Sequence, residues 1–210
     1  MPITKEALQK YISPIFFETG SYQGETIDIA LDLGFNSIHS IELSQRYHQA
    51  LLDKYAEQKN VHLHHGDSGH LMNYILPRIH HRCTFWLDAH FSIPGDARGQ
   101  QMSPVMSEIS QIAKHHIKNH IILIDDLRLM ENVYNISINS LIGQIGKINP
   151  NYCIAFENGY TEKDILVAFV PENNDHLMVD DPFSNAGSGQ KTDENENKTQ
   201  EQESKKRRTE

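Results

Sequence analysis

Between residues 15 and 148 the chain alternates five times between a short β-type run and a helical pattern, and no other feature constrains its fold as tightly. Residues 15–17 read as a buried strand, and Ile27, Ala30 and Leu31 give the following segment a helical face. A second strand at 37–41 leads to a helix from Gln45 with Tyr47, Ala50, Leu51 and Tyr55 on one side. A third strand at 61–65 precedes a helix carrying Leu71, Met72, Ile75 and Ile79, which Pro77 should kink or shorten. Residues 84–87 form a fourth strand. Ser103 then reads as a helix cap and Pro104 as the first helical position, ahead of Val105, Met106, Ile109, Ile112 and Ala113. A fifth strand at 120–124 and a helix at 138–148 complete the alternation. The stretches 152–156 and 165–170 then read as two strands joined by a turn that contains Asn158-Gly159.

Repeated β-then-α units imply a parallel sheet covered on both faces, with right-handed crossovers. Ligands of open sheets of this kind sit at the carboxyl ends of the strands, so the residues just after each strand carry the chemistry.

Those residues are informative. The first strand runs into Glu18-Thr19-Gly20-Ser21-Tyr22-Gln23-Gly24, an acid-x-Gly-x-x-x-Gly pattern. Gly20 permits a sharp turn and close approach to a ligand, and Gly24 permits tight helix–strand packing; a purely structural turn explains the same glycines. Glu42 ends the second strand, where a carboxylate can accept from both hydroxyls of a ribose. Asp67 and Ser68 follow the third strand, where Asp67 can meet an exocyclic amine or simply cap a helix. Asp88 and His90 follow the fourth, Asp125 and Asp126 the fifth.

In order and spacing these segments resemble the successive cofactor motifs of class I S-adenosylmethionine-dependent methyltransferases, over roughly residues 12–172. The resemblance implies a Rossmann-like α/β fold: a mostly parallel seven-stranded sheet, helices on both faces, and a C-terminal antiparallel hairpin. It implies S-adenosylmethionine as cofactor, with Glu18, Gly20, Ser21, Gly24, Glu42, Asp67, Ser68 and Asp88 in the binding set. Leu87-Asp88-Ala89-His90 and Ile124-Asp125-Asp126 are similar to the macrocin-type O-methyltransferases, whose acids at these strand ends hold a divalent metal. This chain has His90 where those proteins have a second acid.

The chemistry asks for the same residue types. Methyl transfer from a sulfonium is an in-line displacement helped mainly by positioning. A hydroxyl acceptor must also lose a proton, to a base such as His90 or Asp88 or through a metal. Asp88, Asp125 and Asp126 offer hard oxygen ligands suited to Mg²⁺. The plainer alternatives are that Asp125 and Asp126 cap the next segment and that His90 bonds a loop carbonyl.

Composition then narrows the partners. Residues 182–210 hold six acidic and six basic residues, so the formal charge of -9 belongs to residues 1–181. An acidic body disfavours nucleic acid and leaves a small or sugar-like acceptor as the expected partner. The tail is Gly-, Ser-, Asn-, Gln-, Glu- and Lys-rich and is expected to be disordered, following a methyltransferase-like domain over 1–181. Cys83 and Cys153 sit singly in apolar segments, with no signal-like start and no membrane-length apolar run, so a cytoplasmic protein is expected. Lys205-Lys206-Arg207-Arg208 is a weak nuclear-import signal or a solubility device. Two other functions compete: a non-catalytic scaffold of the same fold, and a nucleotide-dependent oxidoreductase. The oxidoreductase is disfavoured because Tyr55 and Lys59 lie too early in the chain and Thr26 stands where a third glycine would.

Overall fold

All five residues of β1 (Ile15–Thr19) are buried, as are those of β4 (Cys83–Leu87), the four of β5 (Ile121–Ile124) and all but the last of β7 (Ile165–Phe169). Strands covered on both faces favour apolar runs over alternation; β5 and β7 are wholly apolar, and β1 and β4 are apolar apart from the buried Glu18, Thr19 and Thr84. A computed structural model of the chain describes residues 3–89 and 102–171. The remaining strands are β2 (Ser37–Glu42), β3 (Val61–His65) and β6 (Cys153–Glu157). Together they form one seven-stranded sheet in the order β3-β2-β1-β4-β5-β7-β6. All neighbouring pairs are parallel except β5 with β7 and β7 with β6. The C-terminal hairpin therefore enters with β7 inserted between β5 and β6, and β7 alone runs against the rest.

Helices cover both faces. Beneath one lie α1 (Lys5–Leu8), α2 (Glu25–Asp32) and α3 (Gln45–Lys54), packing Leu8, Ile27, Ala30, Leu51 and Tyr55 onto Phe16, Ile38, Trp86 and Val167. On the other lie α4 (Ser68–Ile75), α5 (Val105–Lys114), α6 (Leu127–Met130) and α7 (Ile138–Ile148). Their Met72, Ile109, Ile112, Leu141 and Ile145 meet Phe17, Phe85, Ile122 and Leu166. Each such side chain is worth about 1.5–3 kcal/mol when fully buried, so the two layers fix strand register firmly.

Pro77 acts as expected: α4 stops at Ile75 and passes into a 3₁₀ turn, Leu76–Arg78. The start of α5 differs from expectation. Pro104 is itself the cap residue rather than Ser103, and the helix begins one residue later, at Val105. The Asn158-Gly159 signal belongs to a longer connection between β6 and β7, where the Gly159 N–H donates to the Thr161 carbonyl. Among the described residues no helix is long and apolar enough to cross a membrane. His90 and the tail lie outside the described residues.

Strand order reverses between β1 and β4. Their adjacent carboxyl ends bound the crevice in which open α/β sheets bind ligands.

Candidate functional site at the carboxyl ends of the strands

Gly20 leaves β1 with φ +86, a conformation that side chains rarely adopt. A Cβ on it would stand 2.6 Å from the carbonyl oxygen of Asp88, so backbone meets backbone across the crevice. The turn is held from two sides: the Gly20 N–H donates to Ile41 O at 2.9 Å, and the Asp88 N–H donates to Thr19 O at 3.1 Å. Gly24 caps α2 with φ +80, and there a Cβ would lie 2.5 Å from the Tyr55 hydroxyl. That hydroxyl is 2.7 Å from both the Gly24 carbonyl and Asp28 Oδ1, which share its single proton.

Between the two glycines, the Tyr22 N–H donates to Glu42 Oε2 at 2.8 Å, and the Ser44 N–H donates to Oε1 at 2.7 Å. Glu42 is thereby fixed at the end of β2, each carboxylate oxygen held by a backbone N–H. Glu18 lies deeper, fully buried. Its Oε1 accepts from Ser40 Oγ at 2.6 Å, and the Ser40 and Ser21 hydroxyls bond to each other. Glu18 Oε2 is buried without a hydrogen-bond partner among the described residues. Burial pushes the Glu18 carboxyl up to about 8; the Ser40 bond opposes the rise, and Asp88, Glu42 and Asp28 add to it.

Asp67 caps α4, its side chain accepting from the Gly69 N–H at 2.9 Å. Ser68 points inward instead and donates to Glu108 Oε1 at 2.6 Å. Glu108 was not expected at the site. It sits on the buried stripe of α5 beside Val105, Ile109 and Ile112. Burial, with the charges of Asp67 and Asp88, outweighs the Ser68 bond and pushes its carboxyl up to about 7. An acid at a core-facing helical position is the signal that would have found it.

At the end of β5, Asp125, Asp126 and Asp164 each bring one carboxylate oxygen within 4.8 Å of the others. Asp164 precedes β7, and sequence spacing alone could not associate it with residues some 40 positions earlier. Asp88 does not belong to this trio, though its charge, after burial, raises Asp125 toward about 7. The Arg128 guanidinium pairs with both Asp126 and Asp164, while the Arg128 N–H donates to Asp164 Oδ1 at 3.0 Å. The guanidinium also lies 4.7 Å from the Tyr160 ring centroid, a cation–π arrangement. Asp126 adopts φ 59, a left-handed conformation for a residue that also opens α6. Asp125 Oδ1 is buried with no hydrogen-bond partner among the described residues. Arg128 thus supplies the positive charge that sequence reasoning assigned to a divalent ion. While it is seated there it competes with a cation for Asp126 and Asp164.

No protein-family model matches the chain, and no curated protein matches it in sequence. Solved structures do match. An O-methyltransferase from Bacillus cereus, crystallised with S-adenosylhomocysteine, superposes with a TM-score of 0.55 at 15% identity, over 80% of this chain and 78% of that one. A provisionally assigned caffeoyl-CoA O-methyltransferase from Staphylococcus aureus gives 0.53 at 11% identity, over 81% and 86%. A provisionally assigned Streptococcus mutans methyltransferase, also with S-adenosylhomocysteine, gives 0.52 at 10% identity, over 80% and 99%. The fold is that of the class I methyltransferases.

The crevice above β1 and β4, where open α/β sheets take their ligands, has three features suited to one. Gly20 leaves no Cβ in it, Glu42 is already oriented, and Glu18 Oε2 awaits a donor. Of the residues read from sequence, Glu18, Gly20, Ser21 and Glu42 gather in one hydrogen-bonded turn. Asp67 spends its side chain on a helix cap and Ser68 on Glu108, so any ligand contact they make is additional to those bonds.

Proposed function

We propose that this protein is an S-adenosylmethionine-dependent methyltransferase acting on the hydroxyl of a small or sugar-like acceptor. The observation that carries the reading is Glu42 held by the Tyr22 and Ser44 N–H groups at the mouth of the crevice closed by Gly20 and Asp88. A carboxylate fixed in this way before the ligand arrives costs little further ordering on binding.

The cofactor, when bound, supplies a methyl group on a sulfonium. The chain's own contribution is to position the reactants and accept a proton. Gly20 and Gly24 let the turn wrap closely, Glu42 accepts from a ribose diol, and Glu18 Oε2 accepts from a donor on the amino-acid portion. Ser21 orders Glu18 through Ser40. On the acceptor side, Asp88 is the residue we assign to orient the hydroxyl, with His90 or Asp125 taking its proton. Burial with Asp88 nearby suits Asp125 to that task near neutral pH. No step is routed through a metal, because Arg128 neutralises Asp126 and Asp164.

A scaffold that merely keeps the fold would bind cofactor without turning it over. The test is transfer of a labelled methyl group from S-adenosylmethionine to a panel of phenolic, sugar and catechol acceptors, with and without EDTA. We expect transfer that EDTA leaves intact. Cofactor binding with no transfer to any acceptor class would favour the scaffold.

A further inference from the structure

Three histidines lie together on the α4 side of the sheet at its β3 edge, away from the turn residues described above. His39 stands opposite His62 in the β2–β3 register, and His64 follows two residues along β3 on the same face. They continue an aromatic row across the sheet, in which Phe85, Phe17, His39 and His62 are successive register partners. His39 stacks on Phe17 at 5.9 Å and on His62 at 4.7 Å between ring centroids. Its Nδ1 lies 3.2 Å from His64 Nε2, and its other nitrogen lies 3.4 Å from Ser37 Oγ.

We propose that His39, His62 and His64 form a binding site for a borderline divalent transition cation of the zinc class. Zinc–imidazole bonds of about 2.0–2.1 Å in tetrahedral geometry separate neighbouring ligand nitrogens by roughly 3.3 Å, close to the distance already present. The contact of Ser37 with the far nitrogen of His39 is the outer-shell bond that typically fixes a ligating ring. His62 is exposed, so its ring can turn to supply a third nitrogen, and solvent reaches the fourth position. Burial keeps His39 and His64 uncharged, each pushed down to about 4, which is the ligating form. An imidazole set selects zinc, copper and nickel over the hard cations calcium and magnesium.

The experiment is titration of the untagged full chain with Zn²⁺ by calorimetry, supported by Cu²⁺ paramagnetic resonance to count coupled nitrogens. We expect one ion per chain, affinity weakened about tenfold or more in His39→Gln and in His64→Gln, and a smaller loss in His62→Ala. His80→Ala, at an exposed histidine outside the group, should bind as the wild type does. Because His39 packs on Phe17, its variant is scored only if its circular dichroism is native; His62→Ala and His64→Gln otherwise decide. Absence of binding by the wild type overturns the site. So does affinity unchanged in both His62→Ala and His64→Gln, or lost equally in His80→Ala.

Discussion

Gly20 and Asp88 meet through bare backbone: the Cβ that Gly20 lacks would lie 2.6 Å from the Asp88 carbonyl oxygen. The turn after β1 and the end of β4 are therefore one structural unit. Gly20→Ala adds both a clash with backbone and a strained φ of +86, costing of order 1–3 kcal/mol in the strain alone. We expect a clear fall in melting temperature and loss of S-adenosylhomocysteine binding. Gly143→Ala, in α7 with nothing within 4 Å of the added carbon, is the control. It should be neutral or stabilising by about 0.5–1 kcal/mol. Equal effects at the two positions, read in parallel denaturant melts, would contradict this account of the turn.

Arg128 bridges Asp126 and Asp164, two carboxylates that are almost wholly buried. Removing one partner of such a network leaves uncompensated charge, so Arg128→Ala should destabilise the fold by about 3 kcal/mol or more at pH 8. The same change empties the position that excludes a cation. Mn²⁺ or Ca²⁺ should then raise the melting temperature of Arg128→Ala by mass action while leaving the wild type unmoved. A wild type stabilised by these ions as strongly as the variant would restore the metal reading.

Two sets of buried groups titrate in opposition. Glu18 and Glu108 are raised from 4.5 to about 8 and about 7. The folded state therefore holds protons that the unfolded state has released, and stability falls as pH rises through those folded values. His39, His64 and His120 are lowered from 6.5 to about 4, 4 and 3, so the unfolded state takes up protons first and stability falls as pH drops below 6.5. Between 4.5 and 6.5 the two sets oppose each other, with three histidines outweighing two carboxyls, so stability should peak near the upper end of that range and decline on both sides. Glu108→Gln should flatten the alkaline side, relieving up to roughly 3 kcal/mol by pH 8. Urea unfolding from pH 4 to 9 checks the shape; a wild-type maximum at pH 8 or above would be inconsistent with it.

The sheet was legible because its central strands are mostly apolar, and the crevice because Glu18 and Glu42 lie at the carboxyl ends of β1 and β2 while Gly20 and Asp88 directly follow β1 and β4. Other parts depend on contacts that no local window contains. Asp164 and Arg128 are 36 residues apart and meet only because β7 inserts beside β5. Ser68 finds Glu108 at a separation of 40, across the packed faces of α4 and α5. The short helices α1 and α6 have four residues each, too few to show a periodic pattern, and tertiary packing rather than propensity holds them.

The central claim is that the crevice between β1 and β4 takes S-adenosylmethionine, with Glu42 on its ribose. It is tested most directly by calorimetric titration of S-adenosylhomocysteine into the wild type and Glu42→Ala. One molecule should bind per chain, and the variant should bind more weakly by roughly 1.5–3 kcal/mol, the usual value of hydrogen bonds to a charged group. No heat of binding with S-adenosylhomocysteine, set against clear binding of a nicotinamide dinucleotide, would contradict the assignment outright.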